Sequence, residues 1–304
     1  MAYILRRLAL APVPLLIVVL FVFVVLRMSG DPVDIYLGLD ATPEQEALLR
    51  TQLNLDAPLP LQFLYFLGDL LRGDFGTSLQ FQAPATEVVA QRLGATLELV
   101  AFALGIALVG GILGGLACAV WSDRLPDLAL TGVSVAAQSM PSFWLGILLI
   151  QLFALDLGWL PTSGRGGWAQ LVLPTLTLAT FIMPNFLLVT RTAVLETMRE
   201  QFVATARARG VSGARALFRH VLPNALNPVV SLLGMQLGRL IGGAVVTETV
   251  FAWPGVGRLM VTAIFQRDVP VVIAAVFVVA VTIIVASLLV DLVQAAIDPR
   301  IRLR

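Results

Sequence analysis

Apolar runs separated by short polar segments dominate this chain. They cover Leu8–Leu26, Ala95–Val120, Leu128–Leu152, Val172–Leu195, Leu226–Thr247 and Val271–Leu292. A helix rises about 1.5 Å per residue, so about 20 apolar residues cross the ~30 Å hydrocarbon layer of a bilayer. The pattern predicts an all-α polytopic protein with six transmembrane helices. The first run follows Arg6 and Arg7, as the core of a signal peptide would. Such a core holds about 7–15 apolar residues and ends at a small-residue cleavage site. This run is longer and closes in VVLRMSGDP, so it reads as a retained anchor.

The polar positions divide the chain into a first span within residues 1–28, an acidic loop over 29–94 and a five-helix core over 95–304. In the acidic loop, TPEQEALLRTQLNL predicts a short helix. Thr42 stands at its N-cap, Pro43 at its first position and Gln45 at the capping-box offset. PLPLQFLYFLGDLLRGDFG predicts an amphipathic helix along the membrane surface, broken by Gly73 and Gly76. Gly110, Gly111, Gly114 and Gly115 in the second run, and Gly234, Gly238 and Gly242 in the fifth, give faces on which helix backbones approach closely. Pro174 and Pro184 mark kinks or packing breaks in the fourth.

Composition agrees with a membrane domain. The chain is 58% hydrophobic and 13% charged, with mean hydropathy +0.91; soluble domains carry about 25% charged residues. The net charge of +1 matters less than where the charges sit. With six spans, Arg6, Arg7, Arg124, Arg199, Arg207, Arg209, Arg215, Arg219, Arg300, Arg302 and Arg304 fall on one side. The acidic loop, the turn around Trp159–Trp168 and FAWPGVGRL fall on the other. Positive charge stays inside, so both termini are expected in the cytoplasm.

The residue inventory excludes several chemistries. There is no Lys, hence no Walker A phosphate loop and no lysine Schiff base. His220 is the only histidine and Cys118 the only cysteine, which rules out an HExxH metal site and an intrachain disulfide. No GxSxG elbow is present. Spans two, three and six are almost free of ionisable groups at mid-depth, unlike ion-coupled carriers. No cofactor, metal or nucleic acid is expected on this chain.

The polar stretch Glu196–Pro223, ETMREQFVATARARGVSGARALFRHVLP, carries five arginines against two glutamates. Met198, Phe202, Thr205 and Arg209 recur at the spacing of one helix face. Gly210 suits a left-handed C-terminal cap, and Ser212 an N-cap for a second helix over Ala214–Arg219 that Pro223 ends. The expectation is a cytoplasmic helix–turn–helix with its apex at Gly210–Ser212.

This loop resembles the EAA motif of ABC-importer permeases: EAA, three residues, Gly, nine residues, Ile, one residue, Leu-Pro. Ala206, Gly210, Leu222 and Pro223 match in register; Ala204 replaces the Glu, Thr205 the first Ala and His220 the Ile. FVATARARG is similar to the version in permeases of peptide and nickel importers. GDFGTS, PSFWLG, GWLPTSG, ETVFAWPGVGRL and DPRIR extend the likeness, in order, over nearly the whole chain. The closest likeness is to the first of the two paralogous permeases of dipeptide and oligopeptide systems.

The resemblance implies a type I importer permease without catalytic residues of its own. ATP and Mg would be held by two ABC ATPase subunits or one fused ATPase. A paralogous permease would complete the path, and an extracytoplasmic solute-binding protein would deliver cargo. The membrane would be the bacterial inner membrane. Ala206, Gly210, Val211, Ser212 and Arg215 would contact the ATPase, with Leu222 and Pro223 fixing the lever. Arg207 and Arg209 would meet partner acids or lipid phosphates. Gly234, Gly238 and Gly242 would line the path or only pack helices. Glu248 would serve it or only cap or pair with Arg258, and Trp159 and Trp253 would meet the binding protein or anchor the interface. Dipeptides, oligopeptides, nickel chelates, glutathione and opine-like solutes all fit the family.

Overall fold

The computed structural model describes residues 10, 12–28, 33, 42–52 and 54–297. Arg6, Arg7, the start of the first apolar run, most of 29–41 and the DPRIR segment lie outside the described residues. Apart from one isolated bridge between Thr77 and Pro84, regular structure among the described residues is helical. The helices are α1 (Pro12–Met28), α2 (Pro43–Gln52), α3 (Leu59–Leu71), α4 (Ala85–Val120), α5 (Leu125–Ser139), α6 (Ser142–Leu149), α7 (Trp168–Met198), α8 (Gln201–Ala208), α9 (Gly213–Ala216), α10 (Leu222–Val250), α11 (Val256–Phe265) and α12 (Val269–Ile297).

Among the described residues, four helical stretches are long and apolar enough to cross a membrane: Ala85–Val120, Trp168–Met198, Gly213–Val250 and Val269–Leu292. One further pair of helices passes the same test only when taken together, as a broken span or a re-entrant loop. α5 and the helix that follows it, Ser142–Asp156, meet at a bend of 106°. The apolar run predicts one span over Leu128–Leu152, and the chemistry of Pro141 explains the difference. A proline disfavours α backbone in the residue before it, and Met140 is extended at φ −80°, ψ 137°. Beyond the break, α6 widens into a π-helical turn over Ile150–Asp156. Pro174 and Pro184 do not interrupt α7.

The described residues fall into two compact units, one drawn from 95–258 and 285–297, the other from 10–94 and 259–284. In the first, α4 packs against α7 through its glycines. A Cβ at Gly111 would overlap the side chain of Phe186, and one at Gly115 would overlap the Leu187 carbonyl and Thr190. At the α4–α5 turn, Asp127 is buried and takes a two-pronged contact from α7. Arg191 Nε donates to Oδ1 at 2.8 Å and Nη2 to Oδ2 at 2.7 Å. The Asp123 N–H adds a third bond at 2.9 Å.

In the second unit, Phe23 of α1 packs on Phe63 and Phe66 of α3, with ring centroids 5.4 and 5.6 Å apart. Gln62 of α3 donates to the carbonyls of Leu55 and Ala57, both at 2.7 Å. The capping box forms as the sequence predicts: the Thr42 N–H donates to Gln45 Oε1 at 3.0 Å, and the Gln45 N–H to Thr42 Oγ1 at 3.4 Å. Asp268, just ahead of α12, accepts from the Ser78 hydroxyl and the Gln80 N–H.

Candidate functional site

α8 starts after a break in the chain direction at Glu200, whose backbone is extended at φ −66°, ψ 145°. Met198 therefore ends α7, and the single helix face predicted through Met198, Phe202, Thr205 and Arg209 does not form. Val203 is the anchoring side chain instead. It is fully buried among Leu116 and Ala119 of α4, Ala193 and Val194 of α7, and Val221 and Ala225 beyond it, while Phe202 is 44% exposed. One turn of apolar burial thus ties α8 to the ends of three long helices.

The apex follows from a left-handed cap. Gly210 has φ +84°. Its N–H donates to the Arg207 carbonyl at 2.9 Å, and the Val211 N–H reaches back to Ala206 at 3.2 Å. These two bonds satisfy carbonyls that the end of α8 would leave open, in the Schellman arrangement that favours glycine. Ser212 has the extended backbone of an N-cap, but its hydroxyl makes no capping bond.

The second arm differs from expectation. Pro223 does not end it. The chain stays helical from Gly213 to Val250, through a π-helical turn at Leu217–Val221. A proline in a regular α-helix clashes with the carbonyl four residues earlier. The wider turn around Arg219 removes that conflict, and Pro223 falls in the first turn of α10. The arm and the spanning helix are one continuous rod.

Arg207, Arg209, Gly210, Ser212, Arg215 and Pro223 are exposed, and Ala206, Val211 and Leu222 are half-buried. Among the described residues none forms an ion pair with Arg207, Arg209 or Arg215. The elbow is held rigidly from within and presents uncompensated positive charge outward.

A second constellation surrounds Glu248 near the other end of α10. Its carboxylate is fully buried. Thr96 Oγ1 of α4 donates to Oε1 at 2.6 Å, and the Arg258 N–H to Oε2 at 3.0 Å. Thr96 accepts in turn from the Val256 N–H at 2.8 Å. The glycines of WPGVG make room for this: a Cβ at Gly255 would overlap the carboxylate, and one at Gly257 would crowd Val245. Glu248 therefore pairs with the Arg258 backbone and knits α10, α4 and the start of α11 together.

Trp253 completes the clasp, 1% exposed, with its indole N–H donating to the Ala95 carbonyl at 2.8 Å. An interfacial anchor would be wet at its polar edge, so that reading fails for Trp253. Trp159 is 68% exposed. Arg165 lies over the Trp253 ring at 5.8 Å and donates from Nε to Glu98 Oε2 at 2.9 Å. The glycine ladder divides. A Cβ at Gly234 would touch Val290 at 3.5 Å, Gly238 is half-buried, and Gly242 is exposed with nothing within 4 Å of that position.

Comparison with known proteins adds the following. A family model described as the binding-protein-dependent transport system inner membrane component matches residues 111–303, and a model for the N-terminal part of such membrane components matches residues 1–100. The chain is 41% identical over 301 residues to the glutathione transport system permease protein GsiC of Salmonella typhimurium (strain LT2), covering 99% of this chain and 98% of that protein. It is 38% identical over 301 residues to the protein of that name from Escherichia coli (strain K12), with the same coverage of 99% and 98%. Among solved structures, an inward-facing form of the MetNI methionine ABC transporter superposes with TM-score 0.57 at 17% identity, over 69% of this chain and 96% of that one. An amino acid ABC transporter solved with histidines gives TM-score 0.54 at 17% identity, over 69% and 94%.

Proposed function

Since this chain belongs to the family of binding-protein-dependent transport system inner membrane components, we propose that it forms one half of an ATP-driven import path and that residues 201–223 are its coupling elbow. The path is completed by a paralogous permease. Two ABC ATPase subunits, or one fused pair, hold ATP and Mg. A solute-binding protein docks on the extracytoplasmic side. The chain crosses the bacterial inner membrane six times with both termini in the cytoplasm, the arrangement that the arginine distribution favours.

One observation carries the coupling assignment. The exposed apex at Gly210–Ser212 is anchored by buried Val203 on one arm and runs without interruption into α10 on the other. An ATPase dimer that closes on Ala206, Gly210, Val211, Ser212 and Arg215 therefore swings a spanning helix, not a loose loop. Leu222 and Pro223 hold the arm to that helix, and Arg207 and Arg209 face acids on the ATPase. Gly234, Gly238, Gly242 and Glu248 belong to the moving wall and its outer clasp.

For cargo, we carry over the name of the relatives at 38–41% identity: glutathione and short peptides like it, which are small and carry free carboxylates. Uptake of radiolabelled glutathione, a dipeptide and a nickel chelate by vesicles holding the complete system tests this. ATP-dependent uptake of glutathione supports it; uptake of the nickel chelate alone overturns it.

A further inference from the structure

The exposed positions of α10 do not suit lipid. Within the run Leu226–Thr247 and apart from Pro228, they form one stripe: Asn227, Ser231, Met235, Arg239, Gly242 and Val246. On α4, from Leu97 to its end at Val120, every exposed position is Leu, Phe, Ile, Val, Ala or Gly, as on a lipid-facing helix. The α10 stripe instead places an amide, a hydroxyl and a guanidinium on one line.

Arg239 sits deep in the span. At ~1.5 Å per residue its Cα is about 12 Å from Thr247 and about 20 Å from Leu226, the ends of the apolar run. Helical side chains tilt toward the helix N-terminus, so this one leans away from the nearer end. Its neighbour gives the same depth independently. The guanidinium lies 5.0 Å from the ring centroid of Phe181, and Phe181 is about 20 Å from one end of α7 and about 26 Å from the other.

The charge lacks compensation. Nη1 approaches Gln236 Oε1 at 3.5 Å, too long for a strong bond. Among the described residues no carboxylate comes within ion-pair distance of Arg239. A guanidinium has five N–H donors, and a cation at mid-bilayer is costly unless water or an anion meets it. The contact with the Phe181 ring uses none of the N–H donors, so they remain for a carboxylate, which an arginine fork grips through two parallel bonds.

We infer that Arg239 is a cargo-binding residue of the path, receiving the C-terminal carboxylate of the passing solute on the water-facing stripe of α10. The inference rests on the proposed role of the chain as half of a peptide-type path, and it names the group on the cargo that this wall reads.

Two measurements on the complete assembly test it. In a Cys118→Ala background, Met235→Cys is labelled with an anionic and a cationic methanethiosulfonate reagent, each rate divided by that with a free thiol. Both reagents react, the anionic one is favoured by about tenfold, and Arg239→Met abolishes that preference. Failure of both reagents, or a spontaneous cross-link to the partner permease, overturns the inference, because the stripe then faces lipid or protein. In the second measurement, ATP-driven uptake of glutathione is compared with uptake of its C-terminal amide. Arg239→Met lowers uptake of the acid by about tenfold and leaves the amide unchanged, while Arg239→Lys keeps part of the difference. The binding protein is common to all variants, so its own preference cancels. An equal loss for both probes, or no loss, overturns the inference. If the wild-type assembly imports neither probe, the cargo class is wrong, and the labelling rates still decide whether Arg239 faces water.

Discussion

At Gly210 the backbone takes φ +84° with nothing within 4 Å of a would-be Cβ. A side chain there meets strain and no clash. The left-handed region costs an L-residue about 1–2 kcal/mol, and a β-branched one most. Gly210→Val should therefore lower ATP-driven uptake in vesicles by roughly 5–30-fold while membrane insertion stays normal. Gly210→Asn, which tolerates this backbone, should stay near wild type. Glu248 is a different case. Two donors meet its carboxylate, the Thr96 hydroxyl, which also accepts from the Val256 N–H, and the Arg258 N–H. Glu248→Gln sets an amide NH₂ against one of those donors. The cost is about 1–3 kcal/mol, read as a fall of about 2–10 °C in the melting temperature of the purified protein. The glycine was legible in the sequence because its requirement is local. The partner of Glu248 was not, because Thr96 is far away along the chain. Arg239 and Arg191 escaped notice for another reason: hydropathy reads each run as a whole and is blind to one cation within it.

Among the elements, α7 holds the first unit together. Its contact with α4 depends on glycines whose absent side chains let the backbones meet, and its Arg191 closes on buried Asp127. Removing one partner of such a pair costs about 3–5 kcal/mol, while replacing both with apolar residues is often neutral. Arg191→Leu alone should sharply reduce the yield of folded protein, and Arg191→Leu with Asp127→Leu should recover most of it, as measured by size-exclusion chromatography in detergent. Helix positions were largely readable from the apolar runs. Helix continuity was not. Pro141, in the middle of an apolar run, breaks the helix, and Pro223, just ahead of one, does not. The difference lies in the preceding turn: Met140 becomes extended, whereas Leu217–Val221 widens and continues. A local pattern does not specify which of these responses the packing selects.

At the scale of the whole molecule, the chain contributes a rod and a handle to the proposed assembly. The rod runs from Gly213 to Val250, with the elbow at one end and the Glu248 clasp near the other. Family membership was legible from ordered motifs spread along the chain; the mechanical link between them needed coordinates, since continuity through Pro223 joins the elbow to the stripe bearing Arg239. The central claim is that an ATPase grips this elbow. Its most direct test is cross-linking from the apex. Ser212→Cys in a Cys118→Ala background, treated with a short thiol-to-amine reagent in the assembled complex, should give one major product, permease joined to the ATPase subunit, with a yield that changes on adding ATP. Absence of that product in an assembly that still imports its cargo would contradict the account.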